Sequence, residues 1–350
     1  MGAAEARRGR VIAATTILAI ALFIGVILSS AIGQFPVAVT EVIGSILDRI
    51  GLHTSWAPVD ELHDQALWQI RFPRVAMAAL VGAALAIAGT VMQAIFGNPL
   101  AEPGVVGVSS GAALGAAFAI ATGVTLFGSA GLAVFAFAGG VLATLLVYAT
   151  ARANGRTEVV TLLLTGIAIN AFAGAGLALM TFLSDTGSRE QIIFWQLGSL
   201  NGSRWSEVGM VALLGTAGAV VAFASARRYD LLALGERTAS HLGVRVERLR
   251  VVSIFAVAIL TGAAVAYVGI ISFVGLVVPH ALRMVMGPGH KALLPASALG
   301  GAVLLLFADV VARTAVTGAE LPIGLLTSLI GGPFFFFLLR RARTRQGGWA

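Results

Sequence analysis

From Val75 to Ala101 the chain carries no charged residue. The stretch is entered through Arg71 and Arg74, breaks at Asn98-Pro99, and resumes past Pro103-Gly104 as a run of small residues reaching Ala116. Crossing the hydrocarbon core takes about 20 apolar residues as a helix. Inside lipid every backbone polar group needs an internal partner, which leaves helices or closed barrels. The apolar runs are continuous rather than alternating, which selects helices. Two closely packed membrane helices joined by a tight turn are therefore expected, with features at both membrane faces that a plain anchor would not need.

The rest of the chain repeats this character. Residues are 58% hydrophobic and 11% charged, against about 25% charged in an ordinary soluble domain. Of the 23 basic residues only Lys291 is a lysine. Most of them sit at the ends of apolar runs, so the +7 charge does not point to nucleic acid. Cysteine is absent, which excludes disulfides, thiolate metal sites and a cysteine nucleophile. His53, His63, His241, His280 and His290 are too scattered for a local metal site. The N-terminus, with Arg7, Arg8 and Arg10 ahead of a long apolar run, resembles a signal peptide. Its apolar core exceeds the usual 7–15 residues, so it reads as a retained first span.

Ten spans are expected, near 11–33, 74–97, 104–122, 130–150, 158–182, 206–226, 249–267, 273–287, 294–316 and 322–340. An even count puts both termini on one side, and positive charge decides which side. With the termini in the cytoplasm, 17 of the 23 basic residues lie inside and six outside: Arg49, Arg71, Arg74, Arg189, Arg204 and Arg313. Outer loops are expected at 34–73 and 183–205, and one long inner loop at 227–248. A shift of 180 residues aligns Gly82, Ala83, Ala84, Ala86, Gly89, Pro99 and Ala101 with Gly262, Ala263, Ala264, Ala266, Gly269, Pro279 and Ala281. This faint repeat suggests inverted five-span halves, 1–182 and 206–340, within a single domain of 1–350; inverted repeats are a transporter architecture.

Small residues crowd three spans: Gly82, Ala86 and Gly89; Gly107, Ser110, Gly111 and Gly115; Gly166, Gly174 and Gly176. They read as close helix packing, which drives association in lipid. Asn98-Pro99 ends the second span, because proline lacks a donor and disfavours helix before it. Glu102 falls near the start of the next helix, where negative charge is favourable. Leu231–Gly243, LLALGERTASHLG, starts apolar, turns near Gly235, and continues as a short helix with Ala239 and Leu242 on one side. An apolar cluster in a loop flanked by arginines is a docking-surface candidate. Arg71 and Arg74 are three apart and share a helix face. Arg313 follows Asp309 by four. These arginines are either snorkelling anchors or a basic rim for an acidic partner. Asn170 in the fifth span is either a pathway-lining residue or a structural hydrogen bonder.

Catalytic machinery is missing. No P-loop occurs, and few ionisable residues fall mid-span, where an ion-coupled transporter would show some. No cofactor, metal site or catalytic residue is expected.

These motifs have a pattern. RFPR (71–74), VGAALAIAGTVMQAIFGNPLAEPGVVGVSSGAALG (81–115), LLLTGIAIN (162–170), FWQLGSLNGSRW (194–205), LLALGERTASHLGV (231–244), GIISFVGLVVPHALR (269–283), LLPASALGGA (293–302), and ADVVART with ELPIGLLTSLIGGPFFFFLLRR (308–341) together resemble the FecCD-type permeases of bacterial ABC importers for iron–siderophores, haem and vitamin B12. The resemblance implies an all-α, BtuC-like (type II ABC importer) fold of ten membrane helices, working as a homodimer in the cytoplasmic membrane. Two cytoplasmic ATPase subunits would drive it, and an external binding protein would deliver the ligand. The family's coupling segment falls on Leu231, Leu232, Leu234, Gly235, Glu236, Arg237, Ala239, Leu242 and Gly243. Its binding-protein contacts fall on Arg71, Arg74 and Arg313. The run REQIIFWQLGSLNGSRW (189–205) is most similar to the haem-importing branch, with siderophore and cobalamin permeases as alternatives. An ion-coupled secondary transporter is the rival from another class.

Overall fold

The computed structural model describes residues 2–33, 35–58, 60–153 and 156–345. Fifteen α-helices follow in chain order. They are α1 (Gly2–Ala31), α2 (Val39–Arg49), α3 (Glu61–Ala66), α4 (Phe72–Phe96), α5 (Val108–Thr122), α6 (Gly131–Ala151), α7 (Val159–Leu183) and α8 (Thr186–Leu197), then α9 (Trp205–Ala224), α10 (Ala226–Leu232), α11 (Glu236–His241), α12 (Val246–Val268), α13 (Val274–Met286), α14 (His290–Thr314) and α15 (Ile323–Arg345). Apart from a two-residue strand pair between Arg152–Ala153 and Arg156–Thr157, the architecture is all-α.

Seven helices are long and apolar enough to cross a membrane, and shorter apolar helices occur at Val108–Thr122, Val274–Met286 and Ile323–Phe337. Together they match the ten expected spans. The two outer connections are more structured than loops. The first carries α2, α3 and a π-helical turn, Leu67–Arg71, that runs straight into α4; the second carries α8. The π turn has a local cause. Pro73 has no N–H to give to Gln69, and its ring crowds that carbonyl. The preceding turn widens, and the Phe72 N–H bonds to Leu67 five residues back.

Small residues set the helix spacing. A Cβ on Gly82 would overlap the Gly301 carbonyl of α14, and one on Gly301 would overlap the Gly82 carbonyl. Gly89 meets Gly275 of α13 in the same way, and Gly111 meets Gly139 of α6. These are backbone-to-backbone seams that only glycine permits. Gly174 departs from the expectation: nothing in the chain lies within 4 Å of a Cβ placed there, because it sits on the open side of α7. The core centres on α4, α12 and α14. By contrast α1, α7 and α15 present rows of exposed apolar side chains, among them Phe23, Phe172, Phe182, Leu329 and Phe336.

Candidate functional site

The helices converge on two ends. At one, α1 finishes while α4 and α14 bring up their arginines. The last four carbonyls of an α-helix lack internal donors, and α1 has no basic residue in its own last turn. Two guanidiniums from other helices fill the gap. Arg71 Nη1 donates to the carbonyls of Ser30 (2.5 Å) and Ala31 (2.8 Å), and Nη2 donates to that of Phe35. Arg313 Nη2 donates to the Ser29 carbonyl (3.1 Å) and hydroxyl (2.8 Å), and Nη1 to the Ile32 carbonyl (3.0 Å). Positive charge at a helix C-terminus is also favourable to the dipole.

Arg74 takes the acids. Its Nε and Nη2 bond to Asp309 Oδ1 at 3.0 and 2.9 Å, and Nη1 bonds to both Glu320 oxygens at 3.0 Å. Asp309 is only 1% exposed, and its second oxygen lies 3.1 Å from Arg313 Nε. Arg71 and Arg74, expected on one face, thus serve different neighbours, since Arg71 closes the π turn and Arg74 opens the α-helix. All three arginines are buried, so the chain by itself presents a closed arginine–carboxylate network at this end rather than an open basic rim. The Arg74–Asp309 bond, Glu320 and the α1 carbonyls are the contacts that sequence reasoning missed. The i,i+4 spacing of Asp309 and Arg313 signalled that pair alone.

The opposite end holds α10 and α11. The segment 226–241 is two short helices bent at Ala233–Gly235, where Gly235 adopts φ +100°, a conformation that suits glycine. The nine residues assigned to coupling divide into two sets. Leu232 and Ala239 are buried in the core and Leu231 packs against it, whereas Leu234, Gly235, Glu236, Arg237, Leu242 and Gly243 are exposed. Leu234 is 62% exposed. Ala239 is buried whereas Leu242, the residue that caps α11, is exposed. Asp230 fastens the segment to α14: its Oδ1 accepts from the His290 backbone N–H (2.7 Å) and ring Nδ1 (2.9 Å). Tyr229 bonds to Ser253 of α12 at 2.8 Å. An exposed apolar tip on a base pinned to two membrane helices can pass a displacement into the bundle.

Between the ends, a cavity of about 500 Å³ is lined by Glu102, Ser109, Ser110, Asn170, Thr261 and Ser272 among others. Asn170 Nδ2 donates to the Gly104 carbonyl at 3.2 Å, while its Oδ1 and the Thr261 hydroxyl have no hydrogen-bond partner. The residue therefore makes the structural bond and lines a cavity as well. Burial holds the Glu102 carboxyl above the ordinary glutamate range. Phe273, beside this cavity, sits in the left-handed region at φ 67°, which is costly for a bulky residue; no sequence pattern announces it. Among the described residues no group of three or more potential metal ligands occurs.

Ten apolar helices define a multipass membrane protein, and its sequence relatives place it in the ABC-importer permease class. The FecCD transport family model matches residues 21–341, and the chain belongs to this family. It is 44% identical over 292 residues to the hemin transport system permease protein HmuU of Yersinia pestis, covering 81% of this chain and 87% of that one. It is 45% identical over 278 residues to the cobalamin import system permease protein BtuC of Halobacterium salinarum, covering 79% and 73%. A solved inward-facing metal-chelate type ABC transporter superposes with a TM-score of 0.81 at 33% identity, covering 93% of this chain and 97% of that one. Family members are permease components that work with separate ATPase and binding-protein partners.

Proposed function

We propose that two copies of this chain form the membrane pathway of an importer that carries haem or a related iron chelate into the cytoplasm. In this reading the termini and 226–241 face the cytoplasm, where two ATPase subunits dock on the exposed tip around Leu234. ATP-driven closure of the ATPase pair moves the tip, and the Asp230–His290 link passes the movement to α14. The pathway runs between the two copies, lined by α7 and α15. Their exposed apolar rows and the unpacked Gly174 support that placement. Cargo arrives from an external binding protein at the arginine end.

The observation that carries this reading is the exposed, doubly anchored coupling segment in a chain of this family. Haem is favoured by the 189–205 segment and by the hemin-permease relative; the similar identity to a cobalamin permease makes cobalamin the alternative cargo. For the arginine end a second reading is favoured by the geometry. Arg71, Arg74 and Arg313 are already saturated by internal acceptors, so they act as a frame for the pathway mouth unless docking releases them.

The test is uptake into proteoliposomes containing the permease, its ATPase and its binding protein, comparing hemin, a ferric siderophore and cobalamin. ATP-dependent accumulation of hemin above the other two is expected. Preferential accumulation of cobalamin would replace haem as the cargo. Uptake by the permease alone under an ion gradient, without ATP, would overturn the ABC reading in favour of a secondary transporter.

A further inference from the structure

At the coupling end a cavity of about 370 Å³ lies under the 226–241 segment, bordered by Gln93, Leu232, Glu236, Arg250, Arg283 and His290. Its charges do not balance. Arg250 is ion-paired with Glu236. Arg283 has no carboxylate within 4 Å among the described residues, and its Nε and Nη2 are shut from solvent without a hydrogen-bond partner. Arg283 is half-buried; a guanidinium with two N–H groups desolvated and unpaired is costly, and nothing else on α13 compensates it.

The other walls supply the opposite chemistry. His290 is 3% exposed. Its Nδ1 is engaged by the Asp230 carboxylate, which fixes the proton there, so the neutral ring offers Nε2 as an acceptor. That Nε2 has no partner. Gln93, 1% exposed, gives its Nε2 to the Leu276 carbonyl at 3.3 Å and leaves Oε1 unpartnered. The cavity thus combines one uncompensated guanidinium with two orphaned acceptors. A ligand that satisfies all three must carry a negative charge and two hydrogen-bond donors together. Dihydrogenphosphate, with one negative charge and two P–OH groups, has both. A carboxylate or sulfate at neutral pH has only acceptors, and would face the His290 and Gln93 lone pairs. The volume admits such an ion with several waters, each taking about 30 Å³.

We infer that this cavity is a binding site for dihydrogenphosphate, with Arg283 holding the anion and His290 and Gln93 each accepting from one of its two P–OH groups. Because Leu232 and Glu236 form one wall and His290 carries the Asp230 link, occupancy would stiffen the junction between coupling segment and α14. The site does not depend on which cargo is carried.

The test is calorimetric titration of the purified full-length permease in detergent with inorganic phosphate or sulfate at constant ionic strength, alongside thermal unfolding. Saturable phosphate binding at least about tenfold tighter than sulfate is expected, the ratio that one hydrogen bond to a charged group supports. Arg283→Gln should abolish it. Arg283→Lys, which keeps the charge and loses the fork, should weaken it while eluting as the native protein does; this variant decides the matter if Arg283→Gln fails to fold. Equal affinity for sulfate, phosphate binding of native affinity in either Arg283 variant, or no saturable binding to the native protein would each overturn the proposal.

Discussion

The two ends of the molecule handle buried arginine in opposite ways. At the arginine end three guanidiniums, from the π turn, α4 and α14, meet two carboxylates and the carbonyls that close α1, and Asp309 is shared by two of them. At the coupling end Arg283 borders a cavity with no anion beside it, and the neighbouring Arg250 pairs with a glutamate that is itself largely exposed. The first arrangement is stiff, since moving any helix breaks several charge-assisted bonds together. The second can change state at small cost. An importer driven from one side needs its movable parts where the motor docks; under the proposed function these would be α10, α11 and the start of α14.

That contrast can be broken most forcefully at Asp309. Asp309→Asn leaves Arg74 and Arg313 buried around a neutral side chain, and removing one partner of a buried ion pair costs about 3–5 kcal/mol. A large drop in thermal unfolding midpoint is expected, measured in detergent. The same variant separates the two readings of the arginine end. If the arginines contact the binding protein, freeing them should tighten its docking; if they frame the mouth, docking should weaken. A midpoint unchanged from the native protein would show that the network is not rigid.

A smaller effect is expected at Glu102, between the two ends. Its carboxyl is held above the ordinary glutamate range by burial, so the folded chain keeps this proton to higher pH than the unfolded chain. Stability from this group therefore falls as pH rises from the unfolded to the folded value, and the cost is complete above the folded value. Glu102→Gln should flatten that slope and raise the midpoint on the alkaline side. An unchanged pH profile would remove Glu102 from the cavity's electrostatics.

The smallest effect on stability belongs to the coupling tip. Leu234→Asp alters a side chain that packs against little in this chain, so the midpoint should shift by less than about 0.5 kcal/mol equivalent. Co-purification with the ATPase should nevertheless be lost. Retained co-purification would move the docking surface elsewhere.

Much of this was legible from residues alone. Ten apolar runs gave the ten spans, since a bilayer accepts only helices of that length and character. Gly82 and Gly89 marked close packing, and Leu231–Gly243 marked the bend near Gly235, which the structure builds as a pair of short helices with an exposed apolar residue at Leu234. Within that segment the division into buried Leu232 and Ala239 and exposed Leu234 and Leu242 was not legible, because it depends on where α11 ends and which helix lies beneath it. The roles of Arg71, Arg74 and Arg313 were ambiguous for the same reason. Spacing says which residues share a helix face, but not what the neighbouring helix brings to that face.

What the sequence by itself determined is therefore the part governed by solvent and by local chemistry: membrane residence, the number of spans, the proline-induced breaks and the family pattern. Tertiary structure alone decided the pairing of charges. Asp309 lies 235 residues from Arg74, and Asp230 lies 60 from His290. Which cation is matched and which is left waiting depends on helices brought together through glycine seams, where a difference of one side chain in contact outweighs any propensity written along the chain.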